Sequence, residues 1–80
     1  KIFSKTIKCK TVESQIAIGL NTIQKKYKKI VEIGSYPFFK QGKIGVSIVL
    51  RTSKNRNLQS CHKDIIKFLT NKKIKIVRGT

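Results

Sequence analysis

Acidic side chains are nearly missing: Glu13, Glu32 and Asp64 are the only three in 80 residues. Acid–base work on glycosides or phosphates needs paired carboxylates converging on a substrate, and a hard cation needs several oxygen ligands. Glu13 opens a predicted helix, Glu32 lies on a predicted strand and Asp64 sits mid-helix among lysines. They read as one helix-dipole partner and two solvated charges. Cysteine is equally scarce. Cys9 and Cys61 cannot make a disulfide framework, so a reduced, cytoplasmic setting is expected. With His62 they also fall short of a zinc site. Cys61 and His62 are adjacent, and neighbours on a helix point about 100° apart, which excludes a nucleophile–base pair between them. Cys61 is expected in the core and His62 in water. No apolar run approaches the roughly 20 residues that cross a bilayer, and no signal-peptide pattern opens the chain. No membrane role, metal or cofactor is expected.

What is present in excess is lysine. Nineteen basic residues against three acids give a formal charge of +16. Only Arg51, Arg56 and Arg78 are arginine, while isoleucine supplies 13 residues. Lysine and isoleucine rise together in AT-rich coding, and readers of nucleic acid favour the planar fork of arginine. Most of the charge is therefore assigned to composition, although the positive field is real. Eighty residues make one domain near the lower size limit, burying about 60–65% of the unfolded surface. The chain begins at Lys1 and is expected to be a fragment of a larger protein.

Lys1 to Cys9 alternates, with Phe3, Ile7 and Cys9 on one side, the period of a half-buried strand. Thr11 offers a helix N-cap. Val12, Ile16, Leu20, Ile23 and Tyr27 follow at helical spacing, and Gly19 within the stripe predicts close approach to the sheet. Ile30 to Ser35 reads as a second strand ended by Tyr36-Pro37. Gln41-Gly42 turns the chain into a third strand, with Ile44, Val46, Ile48 and Leu50 facing one way. Leu58, Cys61, Ile65, Phe68 and Leu69 share one face of a second helix, and Ile74, Ile76 and Val77 suggest a last short strand. The order β-α-β-β-α-β predicts an α+β, ferredoxin-like two-layer sandwich: a four-stranded sheet with two helices on one face.

Two groups of residues are candidate surfaces. Gly34, Ser35, Tyr36, Pro37, Phe38 and Phe39 hold the only proline and three of the six aromatics. An 80-residue domain rarely buries three rings of one loop, so at least one is expected to meet a partner or a ligand. Lys25, Lys26, Lys28 and Lys29 leave the first helix, while Lys63, Lys67, Lys72 and Lys73 run along and past the second. Both helices cover one side, so these lysines are a candidate polyanion face; an ordinary solvated surface is the preferred reading. Gly42-Lys43-Ile44-Gly45 spells the GxxG of KH domains, but it enters a strand rather than joining two helices, and is read as coincidence. The first and third strands offer Phe3 alone as an aromatic, so the base-stacking platform of RNA-recognition modules is taken to be missing.

The stretch Ile33 to Arg51, "IGSYPFF…GKIGVSIVLR", resembles the small α+β segment that follows the molybdopterin-binding domain in CinA-related proteins and in the molybdopterin-binding half of some FAD synthases. The resemblance extends from about Thr11 to Leu69. It implies a parent protein with a molybdopterin-binding-like domain, associated with hydrolysis of nucleotide pyrophosphates such as ADP-ribose or FAD. The Gly-rich and Asp-containing substrate motifs of that domain are absent here, as is a nicotinamide-nucleotide deamidase domain, so no catalytic residue carries over. The expected role is a non-catalytic accessory domain whose partner is the preceding molybdopterin-binding-like domain or a second copy. The rival expectation is a free-standing module binding RNA or DNA through its lysines.

Overall fold

In the computed structural model, which describes residues 1–77, the elements are β1 (Phe3–Lys10), α1 (Glu13–Lys26), β2 (Glu32–Lys40), β3 (Lys43–Thr52), α2 (Asn55–Asn71) and β4 (Lys75–Val77). They build one four-stranded sheet of order β2-β3-β1-β4, every neighbouring pair antiparallel. This is the α+β two-layer sandwich that the alternating and helical stripes predict.

The register explains the core. Ile7 pairs with Ile48 and Cys9 with Val46, and Cys9 also pairs with Ile76, so one face of the sheet is apolar. Ile16 and Leu20 of α1 and Leu58, Cys61, Ile65 and Leu69 of α2 cover that face. Nine core side chains of the described residues are essentially sealed from water, including Ile16, Ile48, Leu50, Ile65 and Leu69. Full burial of a branched aliphatic contributes about 1.5–3 kcal/mol, which is what holds so small a domain together.

Several local expectations are corrected. Val12, not Thr11, is the N-cap of α1, and no side chain caps it. Val12 and Ile44 lie beyond the core, 44% and 56% exposed. Gly19 does permit close approach, but to the other helix: a Cβ there would lie 2.2 Å from the ring of Phe68. Strand β2 does not stop at Tyr36-Pro37 but runs through Pro37 to Lys40. The sheet order makes β2 an edge strand, the position in which a sheet tolerates a residue without an N–H. Gln41 and Gly42 have φ of 52° and 75°, the left-handed pair that matches a two-residue hairpin to strand twist. Strand β4 begins at Lys75, leaving Ile74 outside it, its N–H donated to the Leu69 carbonyl at 2.9 Å.

Among the described residues Thr52 is the buried polar side chain of the core. Its hydroxyl donates to the Ile30 carbonyl at 2.6 Å and accepts the Lys54 N–H at 3.1 Å. It thereby ties the entry of α2 to the loop before β2. Gln24 does similar work from α1, donating to the Val31 carbonyl and accepting the Ile33 N–H, both at 2.8 Å.

Candidate functional site

The Gly34–Phe39 group is not a loop. It is the central part of edge strand β2, paired with β3 from Gly34↔Val49 to Phe39↔Ile44. Side chains alternate across a strand, so the group splits. Ser35, Pro37 and Phe39 share the helix-side face with their partners Ile48, Val46 and Ile44, whereas Gly34, Tyr36 and Phe38 share the open face with Val49, Ser47 and Gly45.

On the helix side the hairpin outruns the helices. Phe39 is 71% exposed and its partner Ile44 56%, with Pro37 exposed two residues inward. These three form a small apolar edge. On the open face both rings lie against glycine. A Cβ on Gly34 would meet the Tyr36 hydroxyl at 2.9 Å, and a Cβ on Gly45 would meet Phe38 at 2.4 Å and the Cys9 carbonyl at 2.8 Å. Phe38 thus lies across β3 towards β1, half-buried, while Tyr36 is 60% exposed.

The second group, the helix-side lysines, sits in several different local settings. Lys26 donates to Asp64 Oδ2 at 2.9 Å, and Lys67 lines the same inter-helix groove. Lys72 Nζ stands 5.9 Å from the Phe68 ring centroid, at cation–π range. Lys25, Lys28, Lys29, Lys63 and Lys73 are exposed, Lys29 and Lys73 in left-handed backbone at helix ends. Asp64 is therefore not a merely solvated charge. It also accepts the Tyr27 hydroxyl at 2.6 Å, and these two hydrogen bonds hold its carboxyl below the ordinary range. Tyr27 is pushed up, first by burial and then by the same bond.

Burial, then Asp64, pushes the Cys61 thiol up to about 11, and burial raises Cys9, so neither is a ready nucleophile at neutral pH. His62 is half-buried rather than solvent-facing, and burial with Lys5 nearby lowers its pKa. Glu32 is exposed with Arg51 at 4.0 Å. Among the described residues no three His, Cys, Asp or Glu side chains gather closely enough to hold a metal. No helix there is long and apolar enough to cross a membrane.

Sequence reasoning missed a third group. Lys8, Lys10, Lys40 and Lys43 line a cleft of about 340 Å³ on the open face, with Phe38 as its ring. The alternation of β1 separates Lys8 and Lys10 from Cys9, but only strand register brings them beside Lys40 and Lys43.

The fold and surfaces define a small α+β two-layer domain, with exposed apolar and basic faces around a sealed core. Residues 1–78 match the family described as FAD synthase, middle domain, and the chain belongs to that family. No curated protein and no solved structure gives a significant match.

Proposed function

We propose that this domain is a non-catalytic accessory unit of a larger FAD synthase-like protein, docked on a neighbouring domain through the tip of its β2–β3 hairpin. The observation that carries the reading is the exposed cross-strand pair Phe39–Ile44, apolar side chains presented beyond the helical layer. The occupant follows from size and family. An edge of three side chains is far below the roughly 800 Å² per partner of a stable free-standing interface. It suffices where a covalent link supplies a high effective concentration. The family description, a middle domain, supplies such neighbours. A molybdopterin-binding-like domain on the N-terminal side, with nucleotide-pyrophosphate chemistry, is the neighbour this reading favours. Dimerisation through the same edge is the lesser variant. A nucleic-acid face on the helix side is the rival reading, with Lys26 already engaged by Asp64.

Replacing Phe39 and Ile44 together by serine tests it. In the 80-residue chain both side chains are exposed, so thermal stability should change by less than about 0.5 kcal/mol. In the longer protein the same change should loosen the domain and raise protease cleavage at its boundaries. Equal cleavage of the parent and the variant would remove the docking role; concentration-dependent dimerisation of the 80-residue chain, abolished by the pair, would replace it with the dimer.

A further inference from the structure

The helix-free face of the sheet concentrates like charge in a way the fold itself does not need. Lys40 stands directly opposite Lys43, and Lys10 directly opposite Lys75. Like charges at opposed positions destabilise a sheet. Among the described residues no side-chain carboxylate relieves them: Glu32, the acid of this face, lies at the far end of β2 beside Arg51. Asp64 is committed to Tyr27 and Lys26 across the helices, and Glu13 opens α1. Lys8 joins the cluster from β1. Among these lysines lies the Phe38 ring, seated on Gly45, and two residues back along the same strand the Tyr36 ring, seated on Gly34. The stacking platform that the first and third strands lack is thus supplied by the edge strand.

We infer that this open face binds single-stranded nucleic acid, Tyr36 and Phe38 stacking bases while Lys8, Lys10, Lys40, Lys43 and Lys75 engage the phosphates. A single strand matches both features at once: phosphates to neutralise opposed ammonium groups, and bases whose flat faces fit rings regardless of sequence. An acidic protein surface would satisfy the charge and leave the rings unused. Hairpin docking uses Pro37 and Phe39 of β2 and Ile44 of β3; Ile44 also borders the cleft, so the two surfaces meet at the hairpin tip, but the lysines and Tyr36 varied below take no part in docking.

The test measures binding of the 80-residue chain to a fluorescent 12-nucleotide oligo(dT) and its RNA counterpart from about 50 to 200 mM salt. Poly-glutamate of matched charge and a nucleoside triphosphate are parallel probes. Circular dichroism confirms folding of each variant. The expected result is that K8Q/K40Q/K43Q cuts affinity at least tenfold and lowers the log–log salt slope by about 2. A helix-side triple, K25Q/K28Q/K63Q, should change affinity less than threefold. Tyr36→Ala, at an exposed position, should weaken oligonucleotide binding about fivefold or more and leave poly-glutamate binding unchanged. Equal losses from both lysine triples, equal affinity for poly-glutamate, affinity for the triphosphate matching that for the strand, or no binding at the lowest salt would each overturn it.

Discussion

The two faces of this sheet are built from the same four strands and obey different rules. On the covered face Ile48, Leu50, Val46 and Cys9 are wholly buried, and each is dictated by the helix packed against it. On the open face the same strands present glycines under rings, serines, a threonine and opposed lysines. The first face stabilises the fold, while the second tolerates local repulsion. Where a domain this small accepts destabilising pairs, the surface concerned is where function is to be sought.

The comparison is broken most forcefully from the covered side. Ile48→Ala leaves a cavity in a sealed core and should cost about 2–5 kcal/mol, enough to unfold much of a domain this short; urea denaturation reads it. A variant as stable as the parent would show the core to be loosely packed. Gly45→Val sharpens the comparison, since glycine here serves the open face. Its side chain would strike Phe38 and the fixed Cys9 carbonyl, costing about 1–3 kcal/mol and displacing the ring. An unmoved Phe38 resonance by NMR would contradict the glycine floor.

The smallest effect lies at the helix junction. The hydrogen bonds from Tyr27 and Lys26 keep the folded-state pKa of Asp64 below its unfolded value. Its contribution is therefore complete above the unfolded carboxylate value of about 3.9 and is lost as pH falls through the lower folded value. The lowered pKa of His62 acts in the same direction, removing stability as pH falls below about 6.5. Asp64→Asn should cost about 1–2 kcal/mol at pH 7 and flatten the part of the loss that falls below about pH 4. Identical acid profiles for parent and variant would show the Tyr27–Asp64 bond to be energetically idle.

Most of the architecture was legible because burial writes a period into the sequence. Phe3-Ile7-Cys9, Val46-Ile48-Leu50 and Leu58-Cys61-Ile65-Leu69 each repeat at the spacing of the element they form. Errors cluster where the deciding partner is distant in sequence. Pro37 looked like a strand end because its tolerance depends on β2 being an edge strand, a property of sheet order. Gly19 looked like a sheet contact because Phe68 lies 49 positions away. The stripe of α1 held at Ile16 and Leu20 but failed at Val12, which precedes the helix. The candidate surfaces were less legible still. The Gly34–Phe39 group was visible in composition, yet its division between two faces follows from the register with β3. Lys8, Lys10, Lys40 and Lys43 carry no local signal among 16 lysines; only cross-strand pairing assembles them.

Hydrogen exchange of the Phe38–Ile44 amides, compared between the 80-residue chain and the longer protein proposed to carry it, tests the docking role most directly. Amides at the hairpin tip should exchange at least tenfold more slowly in the longer protein, while those of buried Ile48 and Leu50 stay protected in both. Equal exchange at the tip in the two settings would contradict it.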